Sequence, residues 1–92
     1  MLDKIIFYEG EKREVSSTVH PINTKETAVI ARAEFELKKA YDGSIVQNGL
    51  CEINGNEAVA FLDFATKGSY ELEITSYVGR EVIIGKILVE IE

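Results

Sequence analysis

Glycine and asparagine punctuate this chain at short intervals, and between them apolar and polar residues alternate with a period of two. The stretches EGEKRE (9–14), YDGS (41–44), QNG (47–49), NGNE (54–57), TKGS (66–69) and VGRE (78–81) all carry turn chemistry. Asp-Gly and Asn-Gly tolerate positive φ and are the strongest short-range hairpin signals. From 27 to 39 the odd positions are Thr27, Val29, Ala31, Ala33, Phe35, Leu37 and Lys39, against Arg32, Glu34, Glu36 and Lys38. That is a strand with one dry face and one wet face. Near the end, Ile83, Gly85, Ile87, Val89 and Ile91 share one face, and Lys86, Glu90 and Glu92 share the other with Leu88 among them.

Short strands between frequent turns point to an antiparallel sandwich or barrel. The pattern predicts seven strands, at 3–8, 13–19, 27–39, 45–53, 57–64, 69–77 and 81–91. The 92 residues suggest one domain spanning 1–92. A domain of this size buries only about 60–65% of its unfolded surface, so its stability margin is thin. One segment carries a competing signal. In NTKETAVIARAEFELKKAY, Asn23 and Glu26 make a capping box, and Ile30, Ala33, Leu37 and Tyr41 fall at helical spacing. Strand is preferred because the alternation runs through Lys39 and hairpin strands follow. A helix over 24–40 would make the fold α+β.

Seven short strands in about 90 residues is the size of an immunoglobulin-like sandwich. In that fold a strand near the sixth turn opens on a tyrosine whose hydroxyl bonds to backbone a few residues upstream. The stretch TKGSYELEI fits it, with Gly68 allowing a tight turn and Tyr70 serving as the pin. Antibody domains carry a disulfide cysteine two residues after this tyrosine. Leu72 stands there, so hydrophobic packing replaces the bridge.

Residues 58–64, AVAFLDF, are apolar on both faces: Ala58, Ala60, Leu62 and Phe64 on one, Val59 and Phe61 on the other. One face must meet something beyond the main core. Val59, Phe61 and Asp63 therefore mark a candidate interaction strand.

Reactive constellations are absent from the sequence. Cys51 is the sole cysteine, so no internal disulfide forms, and one thiol makes no zinc site. A catalytic thiol wants a histidine base, and the single histidine, His20, lies in another segment beside Pro21. Asp42 to Ser44 lacks the further acids of a calcium loop. The 16 acidic residues include Glu34 with Glu36 and Glu71 with Glu73, interleaved with Arg32, Lys38 and Lys86 as on a solvated sheet face. No phosphate loop occurs. A net charge of −6 disfavours nucleic acid and anionic membrane. The N-terminus has an acid at position 3 and no long apolar run, so no signal peptide is read and synthesis in the cytoplasm is expected. Neither cofactor nor small-molecule substrate is expected, and the chain is read as non-enzymatic. A carbohydrate-binding surface module is the alternative. It needs converging aromatic rings, and the tyrosines free to serve, Tyr8, Tyr41 and Tyr77, fall on different elements.

From Ala33 to the C-terminus the chain resembles the immunoglobulin-like N-terminal domain of phage baseplate upper proteins and related prophage tail proteins. The resemblance is carried by AEFELKKAYDGSIV, GLCEINGNEAVAFLDF and KGSYELEITSYVGREVIIGKILVEI. It implies an architectural role in a virion tail or baseplate, with further copies of itself or other phage structural proteins as partners. In that family the domain usually opens a longer chain. Standing alone, 92 residues would be a small accessory or a self-associating subunit.

Overall fold

The core-facing register is set by apolar residues at every second position, the β-branched and aromatic ones among them packing well on a pleated surface. The computed structural model describes residues 3–19, 29–63 and 66–92. Eight strands are formed: β1 (Asp3–Phe7), β2 (Lys12–Thr18), β3 (Arg32–Lys39), β4 (Ile45–Leu50), β5 (Glu52–Asn54), β6 (Glu57–Asp63), β7 (Gly68–Val78) and β8 (Glu81–Ile91). They build a five-stranded sheet in the order β1-β8-β7-β3-β4 and a three-stranded sheet in the order β2-β6-β5. The architecture is all-β and sandwich-like, without helix among the described residues.

The two sheets enclose one core. Ala33, Phe35 and Leu37 of β3 and Tyr70, Leu72 and Ile74 of β7 face Val15 of β2 and Ala58, Ala60 and Leu62 of β6. Phe7, Val89 and Ile91 close one side. Leu72 is fully buried, opposite Leu37 on one neighbour and Ile87 on the other. Each of the larger side chains, the valines, leucines, isoleucines and phenylalanines, contributes about 1.5–3 kcal/mol by leaving water.

Several expectations need correction. The sheet is not purely antiparallel, because β1 runs parallel to β8, from Asp3 opposite Ile87 to Phe7 opposite Ile91. Alternation assigns faces but carries no strand direction, so this pairing left no trace in the pattern. The single strand expected at 45–53 is two strands in different sheets. The chain switches sheets at Cys51, which is buried and donates its N–H to the Ala33 carbonyl at 2.9 Å. Residues 47–49 form no turn either, since they lie inside β4. Gly49 sits opposite Phe35, and a Cβ there would come within 3.2 Å of the Phe35 ring. Its glycine is explained by that close approach, not by a hairpin.

The strand expected over 27–39 begins at Arg32. Just before it the alternation inverts: Ile30 is buried and Val29 exposed. The Ile30 N–H reaches across to the Gly55 carbonyl of the other sheet, while the Ala31 N–H bonds to Tyr77 of β7. The helical alternative fails over 32–39, which is strand. Residues 24–28 of that segment lie outside the described residues, as do His20, Pro21 and Phe64.

Candidate functional site

Gly68, Tyr70 and Leu72 sit at the start of β7. Gly68 has φ +147°, a conformation that side-chain-bearing residues rarely adopt. The Tyr70 ring is buried, and its hydroxyl donates to the Thr66 carbonyl at 2.9 Å. A shallow cleft of about 500 Å³ lies over this corner, lined by Lys39, Tyr41, Thr66, Lys67 and Ser69 among others. Its polar groups are lysines, hydroxyls and backbone, with no acid to act as a base. Tyr70 therefore holds the loop before β7 against the core, and the arrangement offers positioning without reactive chemistry.

The candidate interaction strand falls on β6, the middle strand of its sheet. β2 pairs with β6 along its whole length, from Glu57 to Asp63, and β5 covers its other edge from Glu57 to Val59, so β6 mainly presents a face. On that face Val59 is buried, Asp63 is exposed, and Phe61 keeps 53% of its surface in water. Phe61 alone of the three offers exposed apolar surface. The Asp63 backbone is occupied instead by Gln47 of β4. Gln47 Nε2 donates to the Asp63 carbonyl, and the Asp63 N–H donates to Gln47 Oε1 at 3.1 Å. This side-chain clasp joins the two sheets where no strand pairing does.

The charged residues spread over the outer face of the five-stranded sheet. Arg32 pairs with Glu34 at 3.0 Å, Lys38 with Glu73 at 3.3 Å and Lys86 with Glu71 at 3.9 Å. The more exposed of these, Arg32–Glu34 and Lys86–Glu71, contribute roughly 0.2–1 kcal/mol each, while Lys38–Glu73 is half-buried. The Tyr77 hydroxyl donates to Glu34 at 3.1 Å, which pushes its pKa up, and Arg32 lies over the Tyr77 ring. Asp42 accepts from both the N–H and the hydroxyl of Ser44, and those bonds lower its pKa. Glu11 is likewise lowered, first by the Tyr8 N–H and then by Arg13. Burial, then the nearby Glu34, raises the Cys51 thiol, which makes it a poor nucleophile. Among the described residues no group of three or more His, Cys, Asp or Glu is placed to hold a metal ion.

The tyrosines considered for sugar stacking stay apart. Tyr41 projects from the turn after β3, Tyr8 follows β1, and Tyr77 lies on the outer face of β7 with its hydroxyl engaged. No helix among the described residues is long and apolar enough to cross a membrane.

A further surface is apolar and escaped the pattern reading. Val82 and Ile84, on the outward face of β8, are 56% and 55% exposed. Their signal was present: β8 is apolar at even as well as odd positions, as 58–64 is.

No family model matches the chain, and neither does any curated protein at a significant level. Among solved structures it is similar to an engineered protein of known crystal structure, with a TM-score of 0.72 and 12% identity. The match covers 99% of this chain and 18% of that one, so the chain spans less than a fifth of that protein's length. At this identity the likeness concerns the fold alone.

Proposed function

We propose that the chain is an immunoglobulin-like sandwich that works by protein–protein contact, as a structural component of a phage or prophage tail or baseplate. The observation that carries the fold reading is the strand order. Taking β2-β6-β5 as strands B, E and D, and β8-β7-β3-β4 as G, F, C and C′, with β1 added beside G, the order is compatible with an immunoglobulin arrangement, which supports the reading. On that assignment Tyr70, bonded to the Thr66 carbonyl, would stand at the start of strand F, where that fold has its corner tyrosine. The contact role is supported by what the surface offers: apolar side chains at Phe61, Val82 and Ile84, and a buried, poorly nucleophilic thiol. The virion setting rests on the resemblance of residues 33–92 to the baseplate domains.

Particle association tests this reading. An epitope-tagged chain is expressed from its own locus, particles are induced and banded on a density gradient, and the fractions are probed. Co-banding with particles is expected. A chain found only in the soluble host fraction, with particles intact, refutes the virion role.

A further inference from the structure

Most sheet edges among the described residues are blunted. β2 begins with Lys12, Arg13 and Glu14, and β5 is three residues long. β1 is five residues and carries Lys4. β4 has an irregular register beside Leu37 and Lys38, and its Gln47 folds back onto Asp63. Short strands, charges and irregularities are the usual ways a sheet edge avoids pairing with another chain.

β8 is different. β1 covers it only from Ile87 to Ile91, and no described strand pairs with that edge from Glu81 to Lys86. Between those two charges lies the uncharged run Val82, Ile83, Ile84, Gly85, with Val82 and Ile84 more than half exposed. The run is regular strand, paired on its other side to β7 without a break. A polar cleft of about 300 Å³, lined by Ser16, Ser17, Thr18, Gly85 and Lys86 among others, opens beside it.

From these features we infer that the free half of β8 is a docking edge for a second copy of this chain, the two β8 strands pairing antiparallel about a two-fold axis at Ile83. Two facts favour a second copy over another partner. The first is register. With like faces kept together, Ile83 falls opposite its own counterpart, and each Val82 falls opposite the partner's Ile84, so the exposed apolar pairs cover each other. Directly opposed apolar residues on one face are the stabilising unit of a sheet. The second is charge. The edge carries an acid at one end and a base at the other, so it has no net charge to steer a partner of either sign. Antiparallel self-pairing brings the Glu81 end of each copy to the Lys86 end of the other, whereas parallel pairing would set like against like. In this register Glu81 falls opposite Gly85, one residue from the partner's Lys86, while Arg80, in the adjoining turn, falls opposite that lysine, and Glu71 beside the lysine offsets the like charges.

The contact is small, which makes the dimer a weak, concentration-dependent one. Within a virion many copies held close together would raise its occupancy. This inference refines the contact reading above and rests on it.

Sedimentation equilibrium of the full chain, over roughly 10 μM to 1 mM where weak interfaces of this size become populated, provides the test. Wild type is expected to pass from monomer toward dimer. Ile84→Lys, or Val82→Lys if that variant folds poorly, should weaken dimerisation at least tenfold. Phe61→Lys, an equally exposed change on the other sheet, should leave it unaltered. Amide hydrogen exchange at residues 82–84 should slow as concentration rises. A strict monomer throughout the range overturns the inference, and so does a dimer indifferent to the β8 changes or abolished by Phe61→Lys. Particle association is measured separately, so a monomeric chain that still bands with particles would sink the β8 edge and leave the tail role standing.

Discussion

Replacing Tyr70 by phenylalanine isolates one bond. The ring is buried beside Gly68, whose Cβ position lies 3.5 Å from the ring edge, and phenylalanine keeps that packing. What is lost is the hydroxyl's bond to the Thr66 carbonyl at 2.9 Å. A buried acceptor stripped of its donor costs about 1–3 kcal/mol, whereas the net worth of an ordinary bond is about 0.5–1.5 kcal/mol. Thr66 is exposed and borders the cleft over this corner, so water can approach its carbonyl and the lower range applies. The expected loss is about 1 kcal/mol, equivalent to about 5 °C in melting temperature for a domain of this size. In urea the midpoint should fall by roughly 1 M at an unchanged slope near 1 kcal/mol/M. Paired urea titrations of wild type and Tyr70→Phe measure this directly. A loss below about 0.3 kcal/mol would mean that Thr66 finds water as good a partner as Tyr70, and the pinning argument would be wrong.

Other substitutions probe neighbouring parts of the fold. Gly68→Ala should cost about 1–2 kcal/mol from backbone strain at φ +147°, since the added methyl meets Tyr70 at an ordinary distance; a neutral result in urea unfolding would refute a conformational requirement. Gln47→Ala should cost about 1 kcal/mol and quicken amide exchange at Asp63, and unchanged exchange there would show that the clasp is idle in solution. Alkaline stability should also respond. The folded pKa of Cys51 is raised, so its contribution is complete below the unfolded thiol pKa and is lost as pH rises through and beyond it; Tyr77 acts in the same sense at higher pH. The decline in unfolding free energy above about pH 8.5 should be shallower in Cys51→Ala, and an identical slope would count against a buried thiol.

Much of the fold was legible because faces are written into alternation. The inward residues of β3, β7 and β8 lie where period-two reading puts them. Partner identity is not written there. Residues 45–53 alternate no differently in one sheet than in two, and only the Cys51 N–H, bonded to Ala33, marks the crossing. Glycine misled for a related reason. Asn48-Gly49 has hairpin chemistry, yet Gly49 is selected by the Phe35 ring across the ladder, a contact with no local signature. At Val29 and Ile30 the face inverts because Ile30 bonds to Gly55 of the opposite sheet, a tertiary choice outside any local window. The apolar stretch in β6 reads as two-faced in the sequence, but alternation says nothing of which strand edge stays open; half of the β8 edge does, because its neighbour β1 is too short to cover it.

The parallel alignment of β1 with β8 has a mechanical consequence. Asp3 lies beside Ile87 and Phe7 beside Ile91, so the chain enters this ribbon at one end and leaves it at the other. Tension applied through the flanking segments drives the two strands past each other lengthwise. Every rung between them is then loaded together, whereas a hairpin pulled from its open end yields one rung at a time. The same five-residue pairing that leaves half of β8 uncovered thus makes the domain stiff along the line joining the start of β1 to the end of β8. Single-molecule extension from the two termini should show one abrupt rupture with no earlier yielding, and a gradual low-force opening would show that β1 peels away.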